Sequence, residues 1–229
     1  MQKESSEKIY INSGNEDIIK LVTRPNCRIL DVGCGSGSLA QILLKMGHQI
    51  DGITIFAKEY EVAQKFLQRG YMHNLETGLP QNILHSQYDY VICSHVLEHI
   101  CYPNHLLNDI KVCLKDDSML IVALPNIFHY ASRWKLLCGK FDYKESGIWD
   151  NTHFKWYSFK SGSKLLEQHG FKVTMKKVTG NLPGYSILSK ILSKPIESAL
   201  FNVLTAISPG LFGYQLIYVA ELKDSLNAV

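Results

Sequence analysis

Apolar positions along the chain alternate between two spacings. Short unbroken apolar runs are interleaved with stretches in which apolar residues recur every three or four positions, which predicts strands alternating with helices. The run at 28–32 reads as a strand. The stretch 38–46 carries Leu39, Ile42, Leu43 and Met46 at helical spacing and stops at Gly47. A strand at 49–55, a helix at 58–69 stopped by Gly70 and a short strand near 71–75 follow. Residues 90–93 read as a buried strand, 104–114 as a helix and 119–124 as a buried strand ended by Pro125. Upstream, 15–23 reads as a capped amphipathic helix. After 126 the alternation weakens, and 126–157 is rich in aromatics, His and Asn. A helix at 160–169 and strands at 171–178 and 214–220 complete the pattern. Strands joined by helices imply a parallel sheet with right-handed crossovers, hence an α/β fold.

The stretch 185–207 is apolar at helical spacing, with Ile187, Leu188, Ile191, Leu192, Ile196, Leu200, Val203 and Leu204 on one broad stripe. Pro195 is expected to divide it into two helices. A lid, a dimer face and a membrane-surface helix are alternatives for it. Packing against the domain is preferred to membrane contact. The domain expectation is a single unit over 1–229, with 1–25 as an N-terminal helical cap and 126–157 and 180–212 as acceptor or lid insertions.

Composition narrows the function classes. The chain has 229 residues and is 46% apolar, enough for one substantial core. Its 24 basic and 21 acidic residues leave a net charge of +3, too weak to argue for nucleic acid. The first residues are polar and mixed in charge, unlike a signal peptide. No apolar run reaches the ~18 residues that span a bilayer. Six scattered cysteines form no C-x-x-C pair, so a cysteine-built zinc site is not expected, and a reducing, cytoplasmic location fits them.

Three glycines at alternate positions follow the first strand, in Asp31-Val-Gly33-Cys34-Gly35-Ser-Gly37. Glycine lets the main chain turn tightly and lets a ligand approach it. An acid at the strand end repels an anion and welcomes an amine. The spacing therefore suits a nucleoside with a cationic amino-acid tail better than a pyrophosphate. This turn resembles motif I of the class I S-adenosylmethionine-dependent methyltransferases. That family's Rossmann-like sheet has seven strands, mostly parallel, with the last antiparallel. Tyr88-Asp89-Tyr90-Val-Ile-Cys-Ser94-His95-Val-Leu-Glu98-His99 is similar to the segment after strand four in the ubiquinone-biosynthesis O-methyltransferases. The block from Pro125-Asn126 through Asp150-Asn-Thr-His153-Phe-Lys-Trp156-Tyr157 resembles MetW-type methyltransferases, many of them associated with polysaccharides.

The resemblance implies S-adenosylmethionine as cofactor, converted to S-adenosylhomocysteine, with contacts from Asp31, Gly33, Cys34, Gly35, Gly37, Thr54, Ile55, Glu59, Asn74, Leu75, Ser94 and His95. Thr54 stands where the family commonly has an acid for the ribose. Gly52-Ile-Thr-x-x-x-x-Glu59 is similar to the cyclopropane fatty-acid synthase branch, which assigns the ribose to Glu59. The alternative is that Glu59 only favours a helix N-terminus. Asn74 either accepts the adenine amine through its amide oxygen or is a turn residue.

The cofactor carries the hard chemistry, and the protein aligns the acceptor and removes a proton. His153 is the preferred general base, oriented by Asp150, with His99 and His129 in reserve. A structural corner is the competing role for Asp150 and His153. Asn126, His129, Arg133, Trp134, Trp156 and Tyr157 are candidate acceptor contacts, Arg133 for a carboxylate or phosphate and the aromatics for stacking on a ring. A metal is not expected. If one binds, His95, Glu98 and His99 would share a helix face.

The expected reaction is O-methylation of a sugar or glycosylated metabolite. Metal-assisted O-methylation of a phenol, N-methylation of an amine and a non-catalytic S-adenosylmethionine-binding regulator are the alternatives. The expected partner is a small acceptor, free or lipid-linked, with the chain a monomer or homodimer.

Overall fold

The computed structural model describes residues 14–223. Residues 1–13, part of the expected N-terminal cap, lie outside the described residues. Seven strands form one sheet: β1 (Arg28–Val32), β2 (Gln49–Thr54), β3 (Arg69–Met72), β4 (Tyr88–Ser94), β5 (Leu114–Pro125), β6 (Phe171–Thr179) and β7 (Gln215–Leu222). Their order is β3-β2-β1-β4-β5-β7-β6. The first five are parallel, and β7 inserts antiparallel between β5 and β6.

Two consequences position the site. The chain leaves β1 in one direction to build β2 and β3 and returns to build β4 on the other side. The crevice beyond the carboxyl ends of β1 and β4 is therefore the switch point at which open α/β sheets bind ligands. Because β7 runs antiparallel, its first residue meets the carboxyl ends of its neighbours. Gln215 pairs with Pro125 of β5 and with Thr179 of β6.

Helices cover both faces at the centre of the sheet, so β4, β7 and the second half of β5 are largely apolar and buried. Side chains alternate between faces: Leu30 and Val32 enter one core with Leu97, Leu106 and Tyr218, and Ile29 enters the other with Ile18, Leu43 and Ile121. The helices are α1 (Glu16–Ile19), α2 (Ser38–Lys45), α3 (Ala57–Ala63), α4 (Asn104–Cys113), α5 (Tyr130–Leu137), α6 (Phe159–Gln168), α7 (Tyr185–Leu188), α8 (Lys194–Ile207) and α9 (Pro209–Phe212), of which the last three bury no residue.

Three expectations are corrected. The helix expected over 58–69 ends at Ala63, and Gly70 lies inside β3, paired with Gly52, rather than stopping a helix. A Cβ at Gly70 would lie 2.8 Å from the Tyr60 ring, so packing, not helix termination, requires glycine there. The helix expected over 15–23 shortens to Glu16–Ile19, and Asn15 spends its amide on Gln215 (2.7 Å) instead of capping. The stripe over 185–207 does not pack into the domain. Pro195 does divide it, at the start of α8 where a missing N–H is harmless, but α8 buries no residue. Ile196, Leu200, Val203 and Ile207 are 44 to 75% exposed. No helix among the described residues is long and apolar enough to cross a membrane.

The glycine turn after β1 is sterically required. Gly33 has φ +76°, and a Cβ there would lie 2.5 Å from Cγ2 of Val96. Gly33→Ala is expected to destabilise the fold by about 1–3 kcal/mol, read as a lowered urea midpoint at unchanged slope. An unchanged midpoint would show that the turn relaxes freely.

Candidate active site

A cavity of about 890 Å³ opens at the switch point. Its walls include Asp31, Gly33, Cys34 and Gly35 from the turn, Thr54, Ile55 and Glu59 after β2, Asn74 and Leu75 after β3, and Ser94 and His95 after β4. Of the residues expected around the cofactor, Gly37 is placed behind the wall. It precedes α2 with φ +81°, and a Cβ there would press on Ala63.

Asp31 is 2% exposed, and its Oδ2 has no hydrogen-bond partner among the described residues. Burial alone raises its pKa to about 7, because a carboxylate removed from water resists ionisation. Beside it, Thr54 Oγ1 donates to Glu59 Oε2 at 2.7 Å, both side chains being buried. Asn74 Oδ1 accepts from the Glu76 N–H at 3.1 Å, capping a short 3₁₀ turn at Leu75–Thr77.

The segment after β4 departs from the helix-face expectation. His95 takes a left-handed backbone conformation (φ +57°), and a 3₁₀ turn at Leu97–His99 follows. His95 Nε2 lies 2.7 Å from Gln215 Oε1, and its Nδ1 lies 3.2 Å from Glu98 Oε1. Both partners are acceptors, which favours a proton on each ring nitrogen. Burial pulls the His95 pKa down, but the hydrogen bond and charge of Glu98 and the contact with Gln215 outweigh it, leaving the pKa raised. His95 is therefore held between Gln215 and one oxygen of Glu98, and it does not share a helix face with His99 as expected. Gln215 and Asn15 were missed in the sequence. The available signal for Gln215 was one polar residue heading an apolar strand.

His153 replaces His95 in the cluster. The main-chain carbonyl of Glu98 accepts N–H donors from Phe154 (2.9 Å) and Lys155 (3.1 Å), which ties the Asp-x-Thr-His block to the turn after β4. The His99 and His153 rings then meet edge to face, with centroids 4.7 Å apart. Glu98 is fully buried, and its Oε2 has no hydrogen-bond partner among the described residues.

Asp150 closes a local turn, its carbonyl accepting from His153 N (3.2 Å). Its Oδ1 accepts from Thr152 N (2.8 Å) and Thr152 Oγ1 (2.6 Å). With its proton committed to Asp150, the Thr152 hydroxyl acts as acceptor to His99 Nδ1 at 3.1 Å, and the Thr152 carbonyl lies 3.2 Å from the same nitrogen. His153 Nδ1 donates to the Ile148 carbonyl at 3.2 Å. Asp150 thus orients His99 through Thr152, and Ile148 orients His153. Burial lowers the His153 pKa, Glu98 opposing it in part, which favours the neutral ring, and the Ile148 carbonyl favours its proton on Nδ1.

The residues expected around the acceptor do not gather in this cavity. Asn126 is fully buried and uses its amide on backbone: Nδ2 donates to the Gly210 and Gly213 carbonyls and Oδ1 accepts from Phe128 N. Tyr157 is buried in the main core, and Trp156 packs on Ile127, Ile148 and Trp149. Arg133 donates to the Phe128 carbonyl at 2.6 Å, and Trp134 is 68% exposed on α5. His129 is buried, with its pKa lowered by burial, and lines a smaller neighbouring cavity of about 200 Å³.

Comparison with known proteins bears on the family and the fold. The profile of the family described as "Methyltransferase domain" matches residues 10–176. The ubiquinone biosynthesis O-methyltransferase of Glaesserella parasuis is 27% identical over 107 residues, 43% of this chain and 45% of that protein. Its Vibrio cholerae counterpart is 34% identical over 99 residues, 38% and 36% of the two chains. The match thus spans less than half the length of these curated relatives. Among solved structures, a SAM-dependent methyltransferase from Archaeoglobus fulgidus superposes with a TM-score of 0.63 at 18% identity, covering 90% of each chain. Magnesium protoporphyrin IX methyltransferase from Synechocystis, solved with bound SAH, gives 0.57 at 19% identity, covering 91% of this chain and 80% of that one. At these identities the structural likeness bears on the fold.

Proposed function

The chain belongs to the methyltransferase domain family, and we propose that it transfers a methyl group from S-adenosylmethionine to a hydroxyl of a small acceptor seated against Glu98, His99 and His153. The observation that carries this reading is the shared cavity. The glycine turn and the histidine cluster line one wall-to-wall space at the switch point of the sheet.

The residues of the turn fit the cofactor. Asp31 Oδ2 is a buried acceptor lacking a donor, and the methionine ammonium supplies one. Gly33 and Gly35, both at positive φ, leave room for a ligand against the main chain. Glu59, aligned by Thr54, takes the ribose hydroxyls in place of an acid at the end of β2. When bound, S-adenosylmethionine supplies the electrophilic methyl on its sulfonium. In the metal-free protein His153 Nε2 accepts the acceptor's proton: Nδ1 is committed to Ile148, so Nε2 holds the lone pair. The buried Glu98 carboxylate stabilises the imidazolium that results.

The acceptor class rests on the resemblance of the Asp150–Tyr157 block to polysaccharide-associated methyltransferases, which favours a sugar hydroxyl, and the reaction is placed in the cytoplasm. The relatives' ubiquinone biosynthesis name favours a phenol as second candidate. The test is S-adenosylhomocysteine release over a panel of nucleotide sugars, glycosides and catechols, with product mass as confirmation. Methylated sugar supports the reading, methylated catechol moves it to the second candidate, and cofactor binding without turnover on any of them would overturn it.

Glu59→Ala is expected to weaken S-adenosylhomocysteine binding by roughly tenfold to a hundredfold, the range of a hydrogen bond to a charged group. Unchanged affinity in calorimetry would return Glu59 to a purely helix-initiating role.

A further inference from the structure

We propose that Glu98, His99 and His153 bind a divalent first-row transition cation, with Zn²⁺ as the reference ion. One ligand atom from each residue lies within 4.8 Å of the others. Two independent features point to a cation. First, Glu98 is fully buried, yet its Oε2 has no hydrogen-bond partner among the described residues. A buried carboxylate oxygen without a partner is costly, and a cation removes that cost. His95 occupies the other oxygen of the same carboxylate, so it does not compete for Oε2.

Second, both imidazoles are held as ligands are held. Metal-bound histidine donates its other N–H to a carbonyl or carboxylate, which fixes tautomer and ring direction. His153 Nδ1 donates to the Ile148 carbonyl, and His99 Nδ1 donates to the carbonyl and hydroxyl of Thr152, itself anchored on buried Asp150. Nε2 therefore carries the lone pair on each ring.

The donor set selects the ion. Two imidazole nitrogens with one carboxylate suit Zn²⁺, Fe²⁺ or Mn²⁺, whereas Mg²⁺ and Ca²⁺ prefer oxygen cages. Bonds of about 2.0–2.2 Å require the three ligands to draw slightly together. Three protein ligands leave coordination positions for an acceptor oxygen from the cavity.

The inference deepens the proposed methyl transfer and rests on it for the acceptor's position. A hydroxyl bound to the ion is acidified, its O–H bond breaks and the proton passes to water. The oxygen then forms its bond to the methyl carbon while the carbon–sulfur bond breaks, its electron pair returning to sulfur to leave S-adenosylhomocysteine. The ion and the proton use the same Nε2 of His153, so in the loaded protein His153 is a ligand and not the base.

The test is calorimetric titration of the full chain with Zn²⁺ after chelator treatment, with Mg²⁺ as control and with no donor or acceptor present. One equivalent of Zn²⁺ should bind, with Mg²⁺ much weaker. His99→Ala and His153→Ala should each weaken Zn²⁺ by more than tenfold. Thr152→Val, which only loosens the His99 tautomer, should weaken it by roughly 10–100-fold. S-adenosylhomocysteine binding checks that each variant is folded. Cys101→Ser and Cys138→Ser should leave Zn²⁺ binding unchanged, and Co²⁺ spectra should lack thiolate charge-transfer bands. No Zn²⁺ binding, binding indifferent to the histidine and threonine changes, or binding lost with the cysteines would overturn the site. Because this readout needs no acceptor, a failure of methyl transfer across the acceptor panel leaves it interpretable.

Discussion

Asp31→Asn is expected to weaken S-adenosylhomocysteine binding by roughly thirtyfold to several thousandfold, about 2–5 kcal/mol, the range for removing one partner of a buried charge pair. The same carboxyl sets the pH dependence. With its pKa raised to about 7 in the empty protein, Asp31 is protonated at lower pH and offers the ligand's ammonium no charge. Affinity should therefore fall as pH drops below about 7, by up to about tenfold per unit, with uptake of ligand coupled to proton release. The stability of the empty protein moves oppositely. The folded state holds this proton more tightly than the unfolded chain does, so its stabilising contribution is full below the ordinary carboxylate range. That contribution is lost as pH rises through about 7. Calorimetry at several pH values, with Asp31→Asn as the pH-insensitive reference, checks both effects. A wild-type profile as flat as the variant's would remove Asp31 from ammonium recognition.

In the metal-free protein, His153→Ala is expected to lower turnover by roughly 10²–10⁴-fold, the usual contribution of a positioned acid–base group, with cofactor affinity unchanged. The cause is geometric. His153 presents Nε2 to the cavity because Ile148 holds Nδ1, and the buried Glu98 carboxylate stands beside it. Turnover should be read as S-adenosylhomocysteine release with an acceptor that the panel identifies. Near-native turnover in the variant would leave the Asp150–His153 block as a structural corner. His99→Ala provides the comparison. If the two rings act together, the double variant should lose little more than the more damaging single one.

Much of the fold could be read in the sequence because it is encoded locally. β1 spans the expected residues, and α2, α4 and α6 differ from expectation by a residue at their ends. Their patterns are dense, and local signals bound them: Gly37 and Gly47 around α2, Pro103 before α4, and Ser158 and Gly170 around α6. Gly70 misled because a glycine needed for close packing against Tyr60 looks the same in one dimension as a helix stop. The apolar stripe of α8 misled because hydrophobic periodicity reports a helix face without reporting what covers it.

The cavity residues around the glycine turn were legible because most follow directly from a strand end, and a parallel sheet delivers its strand ends to one edge. The arrangement around Glu98 was not, because its geometry depends on contacts distant in sequence. The antiparallel insertion of β7 carries Gln215 to His95. The Glu98 carbonyl, by accepting N–H donors from Phe154 and Lys155, brings His153 to His99. Sequence by itself determined the alternating α/β core, the glycine turn and the acid at its mouth, since each is set by neighbours within a few residues. Only tertiary structure decided that His153 joins His99 near Glu98, that His95 bridges Glu98 and Gln215, and that Asn126 and Tyr157 are buried away from the main cavity. Hydrogen-bond partners are assigned by proximity in space, and residue type alone does not specify it.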